Sequence, residues 1–258
     1  GQSNRAYCTL SVPHPLSNLT SSAQGQEVNL HWENGGDYDS IEILRDGLFL
    51  ASISGHLTNY TDNAVPFGLR EYTLRAKLRQ GVTDDISTSI TVLRSPDDFT
   101  CRGEADQVRL NWTNPLPSYN HIDIYRDGQY LATASGDDME YIDAPLSPGS
   151  FSYSIKARLG NSTSDASDCD TVIPEPINTV GTGLLNGRNV LITWANPVSD
   201  ATAVRLFRDG NEIASVPPTT TAFLDPDLLV GTYTYCVRAE IDDNYSSLSC
   251  ANAIVPAP

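Results

Sequence analysis

Val28-Asn29-Leu30-His31-Trp32-Glu33-Asn34 places Val28, Leu30 and Trp32 on one face of an extended chain and Asn29 and His31 on the other. Period-two alternation is the pattern of a strand with one buried face. The stretch recurs twice, as Val108-Leu110-Trp112 with Asn114, and as Val190-Ile192-Trp194 with Asn196. An Arg-Asp-Gly triplet follows each copy: Arg45-Asp46-Gly47, Arg126-Asp127-Gly128 and Arg208-Asp209-Gly210. Asp and Gly tolerate the positive φ of a tight type I′ turn, so each triplet reads as a hairpin tip. The period of about 80 residues exceeds the 20–50 of solenoid and propeller repeats and matches a small domain.

Each copy continues in the same grammar. A short strand carries Tyr60/Asp62, Tyr141/Asp143 or Phe223/Asp225. A Pro/Gly corner leads to Tyr72-Leu74-Ala76, Tyr153-Ile155-Ala157 or Tyr235-Val237-Ala239, and a closing strand ends on Val or Ile. No helical stripe lasts three turns, so the expectation is all-β, with seven short strands per unit. Pro-containing linkers, Leu93-Arg94-Ser95-Pro96 and Ile173-Pro174-Glu175-Pro176, divide the chain into 14–94, 95–174 and 175–258. Short proline-bearing linkers predict a semi-rigid extended rod.

The early-strand Trp and the Tyr-x-aliphatic-x-Ala strand after a corner resemble the fibronectin type III domain, three times over. Together with the Arg-Asp-Gly turn they look most like modules of large secreted bacterial surface proteins. The resemblance implies tandem β-sandwiches and leaves function open, because this sandwich hosts many unrelated roles.

Residues 1–13 stand outside the three units. Cys8-Thr9-Leu10-Ser11-Val12-Pro13 matches the closing strand Cys169-Asp170-Thr171-Val172-Ile173-Pro174, and also Cys250 to Pro256. The segment reads as an orphan closing strand: either the remnant of a preceding unit, or a donor strand carrying Leu10 and Val12 into a neighbouring molecule. The second reading predicts head-to-tail self-association into a polymer, with Cys8 available for an intermolecular disulfide. Of the five cysteines, Cys101 and Cys169 lie on the first and last strands of the second unit, and Cys236 and Cys250 on the last two of the third. Their positions predict two bridges within units and an oxidising, extracellular or cell-surface location.

The chain has 258 residues, a formal net charge of −16, and cationic residues too dispersed for nucleic acid or an anionic membrane. No apolar run reaches membrane-spanning length. The histidines His14, His31, His56 and His121 share no spacing with a nucleophile, and no phosphate loop or metal signature is present. The expectation is a non-catalytic module with no cofactor. Alternatives are an adhesive or carbohydrate-binding module, using an aromatic face of Tyr38, Phe49, Tyr119 and Tyr125, or a spacer attached to a secreted enzyme. Asn-x-Ser/Thr triplets at Asn18, Asn59, Asn161 and Asn244 are candidate glycan acceptors. Asn111, beside Trp112, is a poor one. Asn161 and Asn244 read as the same hairpin tip in two units.

Overall fold

The computed structural model describes residues 14–115, 119–195 and 198–257. Every regular element among them is a strand. The first unit runs β1 (Ser17–Gln24), β2 (Glu27–Glu33), β3 (Ser40–Arg45), β4 (Leu48–Ser54), β5 (Asn59–Asp62), β6 (Gly68–Leu78), β7 (Gly81–Val82) and β8 (Ile86–Val92). The second repeats it as β9 (Asp97–Glu104), β10 (Gln107–Thr113), β11 (His121–Arg126), β12 (Gln129–Ser135), β13 (Glu140–Asp143), β14 (Gly149–Leu159), β15 (Ser162–Thr163) and β16 (Ser167–Ile173). The third comprises β17 (Asn178–Leu185), β18 (Asn189–Ala195), β19 (Ala203–Arg208), β20 (Asn211–Val216), β21 (Ala222–Asp225), β22 (Gly231–Ile241), β23 (Asn244–Tyr245) and β24 (Ser249–Val255).

In each unit a three-stranded antiparallel sheet, such as β1-β2-β5, packs on a sheet ordered β4-β3-β6-β8. This is the sandwich expected from the alternation, because each sheet buries only one side-chain row. Three separate apolar cores result, one around Trp32, Tyr72 and Leu74, one around Trp112, Tyr153 and Ile155, and one around Trp194, Tyr235 and Val237.

The seven-strand expectation needs one correction. The closing strand is broken in two (β7/β8, β15/β16, β23/β24), because a hydroxyl interrupts the ladder. The Ala76, Ala157 and Ala239 amides donate to the side-chain oxygens of Thr83, Ser164 and Ser246 at 2.9, 2.9 and 3.0 Å. These hydroxyls are buried, so the amide gains a partner where the strand bulges.

The Arg-Asp-Gly triplet is explained residue by residue. Positive φ at Asp46 and Gly47, Asp127 and Gly128, and Asp209 and Gly210 makes the tight turn. The aspartate carboxylate then accepts from the amide of Glu71, Ser152 or Thr234 on the next strand, at 3.0, 3.0 and 2.8 Å. That amide holds the Asp46 carboxyl below its usual range. The arginine reaches back to a buried aspartate, as Arg45–Asp62, Arg126–Asp143 and Arg208–Asp225, each at 2.7 Å. The same carboxylate oxygen accepts from the hydroxyl of Tyr72, Tyr153 or Tyr235 at 2.7, 2.8 and 2.6 Å. Burial first, and then the neighbouring carboxylate, raises the pKa of all three tyrosines. This pins the third strand, the fifth strand and the long sixth strand together across the two sheets.

Disulfides join Cys101 to Cys169 and Cys236 to Cys250, with Cα–Cα distances of 6.0 and 4.1 Å. The first spans the sandwich edge between β9 and β16. The second links residues directly opposite on β22 and β24. Cys8, Leu10 and Val12 lie outside the described residues. Each described unit already carries its own closing strand, so a donor strand finds no vacant place within these three sandwiches.

Candidate functional site

The feature that recurs beyond the units themselves is how they dock. In the second unit the tip between β14 and β15 lies against the β1–β2 corner of the first. Ala23 pairs with Ser162 and Gln24 with Thr163 in a short parallel bridge. The Gly25 amide donates to the Thr163 carbonyl at 2.8 Å, and the Ala23 amide to the Asn161 carbonyl at 3.1 Å. At the next junction β23 lies along β9, Tyr245 pairs with Glu104, and the Ala105 amide donates to the Tyr245 carbonyl at 2.9 Å. Gly25 and Ala105 are the same position of the frame, the residue after the first strand, and both have left-handed φ, 55° and 61°. That conformation turns the amide outward from its own sheet and toward the neighbouring tip. A side chain at Gly25 would strike the Asp165 carboxylate, so glycine permits the close approach.

The linker of the first junction is also tied down. Leu93 is fully buried and belongs to the second core. The Tyr119 hydroxyl donates to the Arg94 carbonyl at 3.0 Å, the Ser95 hydroxyl to the Asp165 carbonyl at 2.9 Å, and the Ser167 hydroxyl to the Pro96 carbonyl at 2.6 Å. Burial, and then the nearby Asp97 carboxylate, pushes the Tyr119 pKa up to about 12. Tyr38 holds the first unit's entry in the same way, donating to the His14 carbonyl at 2.6 Å.

At the second junction side chains of the tip carry the contact. Asn244 Oδ1 accepts from the Gly103 amide at 2.7 Å and from the Thr171 hydroxyl at 2.8 Å. Its Nδ2 donates to the Ile241 and Asp242 carbonyls at 2.9 and 3.2 Å. The Tyr245 ring receives three guanidinium groups, with Arg238, Arg102 and Arg205 at 3.8, 4.8 and 5.9 Å from its centroid. Arg102 also donates to the Asp243 carbonyl at 2.8 Å. Arg205 is ion-paired to Glu240, whose carboxyl it holds below the usual range. In the first two units the matching pairs are Glu42–Lys77 and Asp123–Arg158, so the third unit reverses the polarity. A cleft of about 940 Å³ opens between the second and third units, lined by Arg102, Asn111, Asp127, Asp170, Asp242 and Asn244 among others.

Several expectations change on this geometry. Asn161 and Asn244 sit one position apart on equivalent tips; the Asn161 amide nitrogen faces the docked unit, whereas Asn244 turns its Oδ1 to the second unit and its Nδ2 back into its own tip. Asn161 Nδ2 donates to the Ser21 carbonyl at 3.4 Å, and Asn244 spends all its bonding capacity. A glycan on the Asn161 nitrogen would displace the first unit, and one on the Asn244 nitrogen would compete with the bonds that shape its tip. Asn18 and Asn59 are exposed. Tyr38 and Tyr119 are buried, so they form no sugar-stacking face. Phe49 is exposed and Tyr130 takes its place in the second unit, edge-on against Tyr125, but Glu212 occupies that place in the third unit. Asn34 and Asn114 each donate to two carbonyls of the following hairpin, Gly55 and Leu57 or Gly136 and Asp138, and Asn34 also accepts from the Trp32 indole at 3.1 Å, so these two asparagines are structural. Among the described residues no group of three or more His, Cys, Asp or Glu is placed to hold a metal ion, and no helix is long and apolar enough to cross a membrane.

No protein-family model and no curated protein sequence matches the chain. Among solved structures it is similar to the central fibronectin-III array of RIM-binding protein, at 17% identity, TM-score 0.28, and coverage of 96% of this chain and 99% of that one. It is similar to the FN1–FN3 domains of chicken CNTN1, at 14% identity, TM-score 0.36, and coverage of 94% and 99%. The fibronectin(III)-like modules of Clostridium thermocellum CbhA match at 11% identity, TM-score 0.35, and coverage of 61% and 94%. These scores are low, and the fold rests on the strand order within each unit. By that order the chain is a tandem array of fibronectin type III-like β-sandwiches.

Proposed function

We propose that this chain is a non-catalytic structural module of an extracellular rod, in which docked junctions fix the spacing and orientation of successive sandwiches. The observation that carries the reading is the repeated bond from the corner amide, Gly25 or Ala105, to the tip carbonyl of the following unit. A flexible string of independent domains has no use for it. Two disulfides support an oxidising compartment, and exposed Asn18 and Asn59 are the glycan acceptors this reading retains. Small-angle scattering tests the rod: a single elongated envelope is expected, with Asn244→Ala and Tyr245→Ala together broadening it. A wild-type profile that needs a wide ensemble of unit orientations overturns the reading.

The finer reading is head-to-tail assembly in which residues 1–13 pair with a sheet edge of a neighbouring molecule. It is supported by the match of Cys8–Pro13 to two closing strands of this chain. Because each described sandwich is already closed, the added strand would extend an edge, and Cys8 would make the contact covalent. Deletion of residues 1–13, followed by sedimentation and microscopy, tests it. Polymers that persist without the segment exclude it.

A further inference from the structure

The two junctions define a donor tip and an acceptor corner, and one of each lacks a neighbouring sandwich among the described residues. The tip of the first unit is β7, with Gly81 and Val82 at the positions of Ser162 and Thr163 or Asn244 and Tyr245. The corner of the third unit is Leu184-Leu185-Asn186, at the positions of Ala23-Gln24-Gly25 and Gly103-Glu104-Ala105. Asn186 has the same left-handed φ, 51°, although its turn is one residue longer. Its amide meets no partner among the described residues.

We propose that these ends dock on each other between copies of the chain, the β7 tip of one molecule lying on the Leu185–Asn186 corner of another. The inference rests on the rod reading and names its partner as a second copy. The internal register carries over directly. It pairs Gly81 with Leu184 and Val82 with Leu185, and directs the Asn186 amide to the Val82 carbonyl. Chemistry favours this pairing at the ends. Both internal corners place a charged or amide side chain, Gln24 or Glu104, opposite the tip. The end corner instead places Leu185, 43% exposed beside Leu184 at 41%, opposite Val82 at 49%. An apolar tip meets an apolar corner, and burial of all three side chains is favourable. The Asp84 carboxylate occupies the place of Asp165, which lies against Gly25, so it falls beside Asn186, whose side-chain amide is a donor for it. The contact is heterologous: it does not close on itself, and repetition produces a filament. Internal junctions form at the ~mM effective concentration that short linkers supply, so the intermolecular contact is weak and concentration-dependent.

Sedimentation velocity of the full chain up to millimolar concentration tests the proposal. Wild type is expected to shift progressively to larger species. Val82→Asp and Leu185→Asp are each expected to remain monomeric. Their mixture is expected to stop at dimers, because it retains one intact tip and one intact corner. The substituted residues are surface side chains, and an unchanged melting profile verifies that each variant folds. A wild type that stays monomeric throughout overturns the proposal. So does association that survives in both variants, or that is lost only on removing residues 1–13; the last result assigns the contact to the N-terminal strand. None of these outcomes bears on the internal junctions, which scattering of the monomer reads separately.

Discussion

The first junction is held at its linker and the second at its loop tip, although both use the same backbone bond. Tyr119, Ser95 and Ser167 clamp the Arg94–Pro96 segment, and the tip that lies on the first unit, Asn161-Ser162-Thr163, makes one side-chain bond to it, from Asn161 to the Ser21 carbonyl. In the third unit the position of Tyr119 is occupied by Ala201, which has no hydroxyl to reach its linker. The tip is correspondingly larger. Tyr245 sits among three arginines and Asn244 makes four hydrogen bonds. The reversed pair Arg205–Glu240 puts a guanidinium beside that ring where the other units have a carboxylate. Cation–π contacts are worth roughly 0.5–2 kcal/mol each, so the second junction substitutes several modest side-chain terms for a tethered linker. Docking geometry can thus be kept while the residues that enforce it change.

The largest expected contrast is redox-dependent. Cys101–Cys169 spans 68 residues and Cys236–Cys250 spans 14. Loop closure in the unfolded chain gives each bond a stabilisation of about 3–4 kcal/mol. Calorimetry with and without reductant should show the second and third units melting earlier. The first unit, with no cysteine between 14 and 94, should hold its transition. The second junction should loosen as well, because Cys236–Cys250 braces the hairpin that presents Asn244 and Tyr245. Equal shifts in all three units would contradict this.

Substituting one tip position at both junctions gives the next contrast. Asn244→Ala strands the buried Gly103 amide and is expected to cost about 1–3 kcal/mol. Ser162 Oγ is buried without a hydrogen-bond partner, so Ser162→Ala should be neutral or slightly stabilising. Denaturant titration of the two variants measures both. In the opposite sense, Tyr119→Phe removes the linker bond of the first junction and should cost about 1 kcal/mol, leaving the second junction unchanged.

The smallest contrast is in pH. Tyr119 in the folded chain is raised from 10.0 to about 12, so its contribution is complete below the unfolded value and fades as pH climbs toward the folded one. Ionised, it can no longer donate to the Arg94 carbonyl, and alkali should loosen the first junction first. Glu240 is shifted the other way by Arg205: its contribution is present above the unfolded carboxyl value and fades as acid protonates it. Acid should therefore loosen the second junction first. The same loss order at both pH extremes would remove the distinction.

The sandwich was legible in the sequence because its determinants are periodic. Alternation fixed the buried rows, and Asp-Gly fixed the turns. The Arg–Asp–Tyr network was equally present, as Arg45, Asp62 and Tyr72 and their counterparts recur at separations of 17 and 10 residues in every unit. The triplet alone does not point to it, because a tight turn accounts for Asp-Gly without the arginine. The junctions were not legible. Their common element is a backbone bond, which leaves no residue signature, and the tips that make it share little (Ser162-Thr163 against Asn244-Tyr245). The burial of Tyr38 and Tyr119 is illegible for a related reason: the partner of each hydroxyl is a backbone carbonyl, of His14 or Arg94, that carries no residue signature.

Amide hydrogen exchange at three equivalent residues tests the docked junctions most directly. Gly25 and Ala105 donate to the next unit's tip, whereas Asn186 occupies the same position with no following sandwich among the described residues. In dilute solution the Gly25 and Ala105 amides should be protected and the Asn186 amide should exchange freely. If Gly25 and Ala105 exchange as fast as Asn186, the units are not docked, and the rod has no structural basis.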